Sequence, residues 1–111
     1  MNHCVEIRGI RIGEGAPRIC GPIGARTKAE SRNAARTICT TKADIAEWRA
    51  DWFDGTPDFA LVRDVLTDLR ATLDRIPLLF TCRTAKEGGE TAIAPDAYAS
   101  LNKAVAATGL V

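Results

Sequence analysis

The run Pro77-Leu78-Leu79-Phe80-Thr81-Cys82 passes directly into Arg83-Thr84-Ala85-Lys86-Glu87-Gly88-Gly89-Glu90, from an apolar stretch into charges and paired glycines. A continuous apolar run of strand length, opened by proline and closed by loop residues, predicts a strand buried on both faces, as in a parallel sheet. Sheets of that kind place ligands at the C-terminal ends of their strands. Arg83 and Glu87 fall at that end, and Gly88 and Gly89 lack side chains that would hold a ligand away. A buried strand followed by a solvated, glycine-rich turn gives the same local pattern, so this stretch alone leaves site and turn both open.

A second stretch, Asp44 to Phe53, reads as a strand with a charged face. With a period of two, Glu47, Arg49 and Asp51 point to one side, and Ala46, Trp48, Ala50 and Trp52 to the other. The charged face either meets water at a sheet edge or lines a polar cavity.

The remaining elements follow in order. Cys4 to Ile12 alternates on both sides of Arg8-Gly9 and predicts a two-stranded hairpin with one face buried. Gly13-Glu14-Gly15-Ala16-Pro17 is a turn that completes no phosphate-binding loop. Arg18 to Ile23 is a candidate first core strand, weakened by Gly21 and Pro22. Thr27 and Glu30 have capping-box spacing, which opens a helix from Lys28 to about Thr40 with a thin apolar face. Thr56 and Pro57 read as N-cap and first residue of the next helix, whose stripe is Phe59, Val62, Leu66, Leu69 and Leu73. Arg63, Asp64, Asp68 and Arg70 lie away from that stripe, as a solvated surface. A last helix runs from Pro95 to Ala107, with Tyr98, Leu101 and Val105 on one side and Gly109 beyond its end.

After the hairpin the order is therefore strand and helix three times over, at the spacing of βαβ units. The fold class expected is α/β with a parallel sheet, and Glu47, Arg49, Arg83 and Glu87 come to one end of adjacent strands. Two arginines and two carboxylates suit a small, polar, anionic and hydroxylated ligand. A formal charge of +1, from 15 basic and 14 acidic residues intermixed, offers no stripe to neutralise phosphates and argues against nucleic acid. One histidine and four scattered cysteines argue against a metal site. The thiols are expected free, with Cys20 and Cys82 serving as small hydrophobes in strands. No apolar run suggests a signal peptide or a membrane span, and the expected location is cytoplasmic.

The motifs Glu47-Trp48-Arg49-Ala50-Asp51 and Thr81-Cys82-Arg83-Thr84-Ala85-Lys86-Glu87-Gly88-Gly89, with the opening Gly13-Glu14-Gly15-Ala16-Pro17, resemble type I 3-dehydroquinate dehydratase over essentially the whole chain. The resemblance implies the N-terminal part of a (β/α)8 (TIM) barrel preceded by a β-hairpin that covers the barrel's bottom. Residues 1–111 would be a single incomplete domain, with the hairpin at 1–13 and the first three βα units at 18–111. It also implies the third step of the shikimate pathway, 3-dehydroquinate to 3-dehydroshikimate and water, through a lysine imine and without metal or coenzyme. Glu47 and Arg49 would contact the substrate's hydroxyl side, Arg83 would bind substrate, and Glu87 would orient the family's catalytic histidine. A homodimer is implied for the full-length enzyme.

Such a barrel needs about 250 residues. Lys28, Lys42, Lys86 and Lys103 do not match the imine lysine, and His3 stands in the hairpin region, so the chain is expected to bind substrate without catalysing its reaction. Gly21 replaces a larger residue usual in the family and is expected to loosen its strand. A non-catalytic half-barrel that binds a small polyhydroxy acid, or pairs with another chain, is the alternative.

Overall fold

A computed structural model describes residues 4–85, 89 and 93–111. A two-residue turn at Arg8 and Gly9, both at positive φ, joins strands β1 (Val5–Ile7) and β2 (Ile10–Ile12). This mirror-image turn matches the twist of the two strands. Val5, Ile7, Ile10 and Ile12 share one face through the pairs Val5↔Ile12 and Ile7↔Ile10. That face is less covered than expected. Ile10 and Ile12 are half-buried, while Val5 and Ile7 are exposed.

Strands β3 (Cys20–Ile23), β4 (Ile45–Arg49) and β5 (Leu78–Thr81) form a parallel sheet in chain order. Helices α1 (Lys28–Cys39), α2 (Phe59–Leu73) and α3 (Pro95–Ala107) follow them in turn. The register sets Ile23 beside Trp48 and Trp48 beside Phe80, and two positions earlier Gly21 beside Ala46 and Ala46 beside Leu78. These residues form the face packed under the helices. Trp48 is fully buried there, edge-on to Phe80 at 5.7 Å and tilted against Phe53 at 5.9 Å. Val62, Val65, Leu66, Leu69 and Leu73 of α2 complete the core with Ala35 and Ile38 of α1 and Leu101 and Val105 of α3.

The opposite face carries Pro22, Glu47 and Leu79 in one row and Arg49 and Thr81 in the next. β5 is therefore not buried on both sides: Leu79 is 50% exposed. Cys20 is likewise exposed rather than a core residue, whereas Cys82 is buried just past β5; all four thiols are free.

Local chemistry fixes the helix starts. Thr27 Oγ1 accepts the Glu30 N–H at 3.2 Å and caps α1 as expected. α2 starts two residues later than the sequence suggests. Asp58 is its N-cap, with Oδ1 accepting from Ala60 and Leu61, and Thr56 instead turns inward to donate to the Ala50 carbonyl at 2.7 Å. Pro57, joined to Thr56 by a cis peptide, lies in the turn before the helix.

The polar face of α2 is also more than solvated surface. Lys28 pairs with Asp64 at 3.0 Å and Arg32 with Asp68 at 2.7 Å, bridging α1 and α2. Arg70 donates to the carbonyls of Asp74, Ile76 and Leu110, and so ties the end of α2 to the approach to β5 and to the segment after α3. Burial lowers its pKa below the ordinary arginine value. Gly21 does not loosen β3. A β-carbon there would stand 3.2 Å from Ile38 Cγ1 and 3.4 Å from Ala43 Cβ, so Ile38 of α1 and Ala43 in the loop after it fill the space of the missing side chain.

The hairpin sits at the N-terminal ends of the strands. Arg8 donates to the Gly109 carbonyl at 3.0 Å, and Ile7 and Ile12 join Ile45, Leu78, Val105 and Val111 around an apolar groove of about 460 Å³. This leaves the C-terminal ends of β4 and β5 for polar side chains.

Candidate active site

Glu47 projects from β4 on the face away from the helices, because its alternation partners Ala46 and Trp48 supply the helix-facing packing. Thr81 Oγ1, on β5, donates to Glu47 Oε2 at 2.8 Å. Arg49 is the last residue of β4. Its Nε and Nη2 donate to Oδ1 and Oδ2 of Asp51 at 3.0 and 2.7 Å, a two-pronged pair that fixes the plane of the guanidinium.

The expected long strand ends at Arg49. A 3₁₀ turn at Ala50–Trp52 follows, and it changes the direction of everything after it. Asp51 is thereby carried off the alternating face into the interior, where its side chain is fully buried. Trp52, expected beside Trp48, instead lies over the end of β3, 3.6 Å from where a β-carbon at Gly24 would stand. Asp51 also accepts the Arg83 backbone N–H at 3.3 Å, so one carboxylate reaches the ends of both β4 and β5.

Arg83 stands two residues past β5 with its side chain exposed. Gly89 returns to this segment and donates from its N–H to the Thr84 carbonyl at 2.8 Å. A β-carbon on Gly89 would fall 1.8 Å from the Arg83 carbonyl oxygen. What presses against Gly89 is therefore the chain's own backbone, not the ligand that the paired glycines suggested. Glu87 and Gly88 lie outside the described residues, as do Lys86 and His3.

Beneath the site, burial pushes the Cys82 thiol above its ordinary pKa; Asp51 raises it further and Arg49 opposes this. Three of the four residues expected at the site, Glu47, Arg49 and Arg83, thus come to the C-terminal ends of adjacent parallel strands. Asp51, expected on the charged face beside them, and Thr81, which pattern reading assigned no role, hold them in place: Thr81 bonds Glu47, and Asp51 bonds the Arg49 guanidinium and the Arg83 backbone.

Comparison with known proteins decides the family. Residues 19–111 match the family model described as type I 3-dehydroquinase. The chain belongs to the type I 3-dehydroquinase family. It is 44% identical over 110 residues to 3-dehydroquinate dehydratase of Bacillus licheniformis, covering 99% of this chain and 43% of that protein. Against the enzyme of Clostridioides difficile it is 42% identical over 111 residues, all of this chain and 44% of the relative.

Solved structures agree. The type I 3-dehydroquinate dehydratase of Clostridium difficile, crystallised with covalently modified comenic acid, superposes with a TM-score of 0.97 at 42% identity, over 100% of this chain and 44% of that one. The Geobacillus kaustophilus enzyme gives 0.94 at 30% identity, over 100% and 45%. The type I 3-dehydroquinase relatives are TIM barrels, and this chain corresponds to their N-terminal portion, less than half their length. No helix among the described residues is long and apolar enough to cross a membrane.

Proposed function

We propose that the 111 residues supply the substrate grip of a site that converts 3-dehydroquinate to 3-dehydroshikimate and water in the shikimate pathway. The observation that carries this reading is the meeting of Glu47, Arg49 and Arg83 at the ends of β4 and β5, on a chain of this family. Arg83 binds the anionic substrate, Glu47 and Arg49 face its hydroxyls, and Glu87 orients the histidine that moves the proton. The chain is a single incomplete domain, a hairpin at 1–13 and three βα units at 18–111, within a cytoplasmic enzyme that acts as a homodimer.

Gripping a polyhydroxy acid does not by itself acidify the carbon next to its ketone. A lysine must first condense with that ketone, so that the protonated imine can take up the electrons released when the neighbouring proton leaves. Among the described lysines, Lys28 is paired with Asp64 in the helix layer, Lys42 follows α1 at the opposite end of the sheet, and Lys103 is exposed on α3. None of these three stands with Glu47, Arg49 and Arg83 at the C-terminal strand ends, and on this reading the imine lysine and the histidine are supplied from outside these 111 residues. No metal, coenzyme, nucleic acid or membrane is required.

Borohydride trapping tests this. The chain alone should neither form the conjugated product nor gain a substrate-sized adduct by mass spectrometry. Mixed with the C-terminal portion of the Clostridioides difficile relative, it should restore both, with the adduct on the added portion. An adduct on one of the chain's own lysines, with turnover, would overturn the proposal.

A further inference from the structure

We infer that Asp51 is a positioning residue, which presets the Arg49 guanidinium and the Arg83 backbone for substrate; this rests on the reading of the site given above. Asp51 itself is fully buried and touches no bulk solvent, so its role is exerted through its partners. Both carboxylate oxygens are engaged by Arg49, at 3.0 and 2.7 Å, and Oδ1 also accepts the Arg83 N–H at 3.3 Å.

The geometry matters because Arg49 is only partly buried, with 19% of its side chain exposed at the mouth of the site. An arginine at a surface has many rotamers, and ordering it when a ligand arrives subtracts from affinity. The Nε and Nη2 fork on Asp51 fixes the guanidinium plane beforehand. The same carboxylate anchors the first peptide after Cys82, which aims the chain at Arg83. One buried anion thereby couples the reach of two arginines that belong to different strands. The 3₁₀ turn at Ala50–Trp52 makes this possible by bringing Asp51 back beneath the ends of β4 and β5.

The substitution that isolates the effect is Asp51→Asn, which keeps the shape and one acceptor but loses the charge and the second prong. In the enzyme formed with the C-terminal portion of the Clostridioides difficile relative, it should raise KM for 3-dehydroquinate by about tenfold, the size expected when a charge-assisted hydrogen bond is lost. Turnover at saturation should change by less than about threefold, because the grip is lost from bound substrate and transition state alike. In an Arg49→Met background, Asp51→Asn should add less than about twofold, since its main partner is already gone.

Additive effects in the two backgrounds, or a fall in turnover with unchanged KM, would overturn the inference. If Asp51→Asn alone does not fold, the double variant is compared with Arg49→Met only: a KM within about twofold supports the inference, and a larger rise overturns it. If the wild-type enzyme so formed shows no activity, the function proposed above fails. The positioning role is then judged on the 111-residue chain by NMR relaxation of the Arg49 Nε–H: ordered in wild type and mobile in Asp51→Asn supports it, and equal mobility overturns it.

Discussion

Thr81 Oγ1 donates to Glu47 Oε2 at 2.8 Å, although the strand register sets Thr81 beside Arg49 and Leu79 beside Glu47. The bond runs diagonally across the sheet and holds the Glu47 carboxylate toward the strand ends. Thr81→Val keeps the branched shape and removes the donor. It should lower stability by about 0.5–1.5 kcal/mol, the net value of a partly buried hydrogen bond, with Thr81→Ser restoring most of it. Denaturant midpoints of the three proteins check this; an unchanged midpoint in Thr81→Val would mean that the bond contributes nothing net.

Gly89→Ala should displace the segment that carries Arg83. Its new β-carbon would lie 1.8 Å from the Arg83 carbonyl oxygen and 2.5 Å from the carbonyl carbon, and backbone cannot yield as a flexible side chain can. The Gly89 N–H bond to Thr84 should open. Amide shifts of Arg83 and Thr84 and faster hydrogen exchange at position 89 report the change, while amides of α1 and α2 should stay as they are.

The chain alone should self-associate. Leu79 is half exposed in the middle of β5, next to an apolar groove, and strand edges present unpaired backbone groups. Leu79→Lys places a cation beside Glu47 on the same face and should shift the mass measured by light scattering toward the monomer. A monodisperse monomer for the wild-type chain would count against this use of the exposed face.

Cys82 should make the fold sensitive to alkali. Burial, then Asp51, raise its folded pKa above the unfolded value, so the protonated thiol is the form the fold prefers. That contribution is fully present below the unfolded thiol pKa of about 8.5 and is lost as pH rises through the folded value. Stability should therefore fall between neutral and strongly alkaline pH, and the Cys82→Ala variant should lose less over the same range. Peptide mapping after brief alkylation should also find Cys82 modified more slowly than exposed Cys39.

The strand and helix order was legible because it depends on local periodicity and turn chemistry. The stripe on α2, the Thr27 cap and the Arg8-Gly9 turn act within a few residues, and all are seen in the structure. The placement of Glu47, Arg49 and Arg83 was also legible, since parallel strands send their C-terminal ends to one side. Glu87 followed from family resemblance alone and lies outside the described residues.

What the sequence could not disclose depends on contacts between distant segments. A period of two continued through Asp51 predicts a charge on the open face, yet the turn at Ala50 buries it between two strand ends. Thr56 has the right chemistry for a cap, but its hydroxyl finds the Ala50 carbonyl and leaves capping to Asp58. Gly21 looks like a weakness until Ile38 occupies its place. In each case the local preference is worth about 1 kcal/mol, and packing or a buried polar partner outweighs it. The sequence by itself thus determined the elements, their order and which end of the sheet carries the polar ligand groups. Only the tertiary structure decided that Asp51 and Thr81 hold those groups, because burial and hydrogen-bond direction are set by the whole fold.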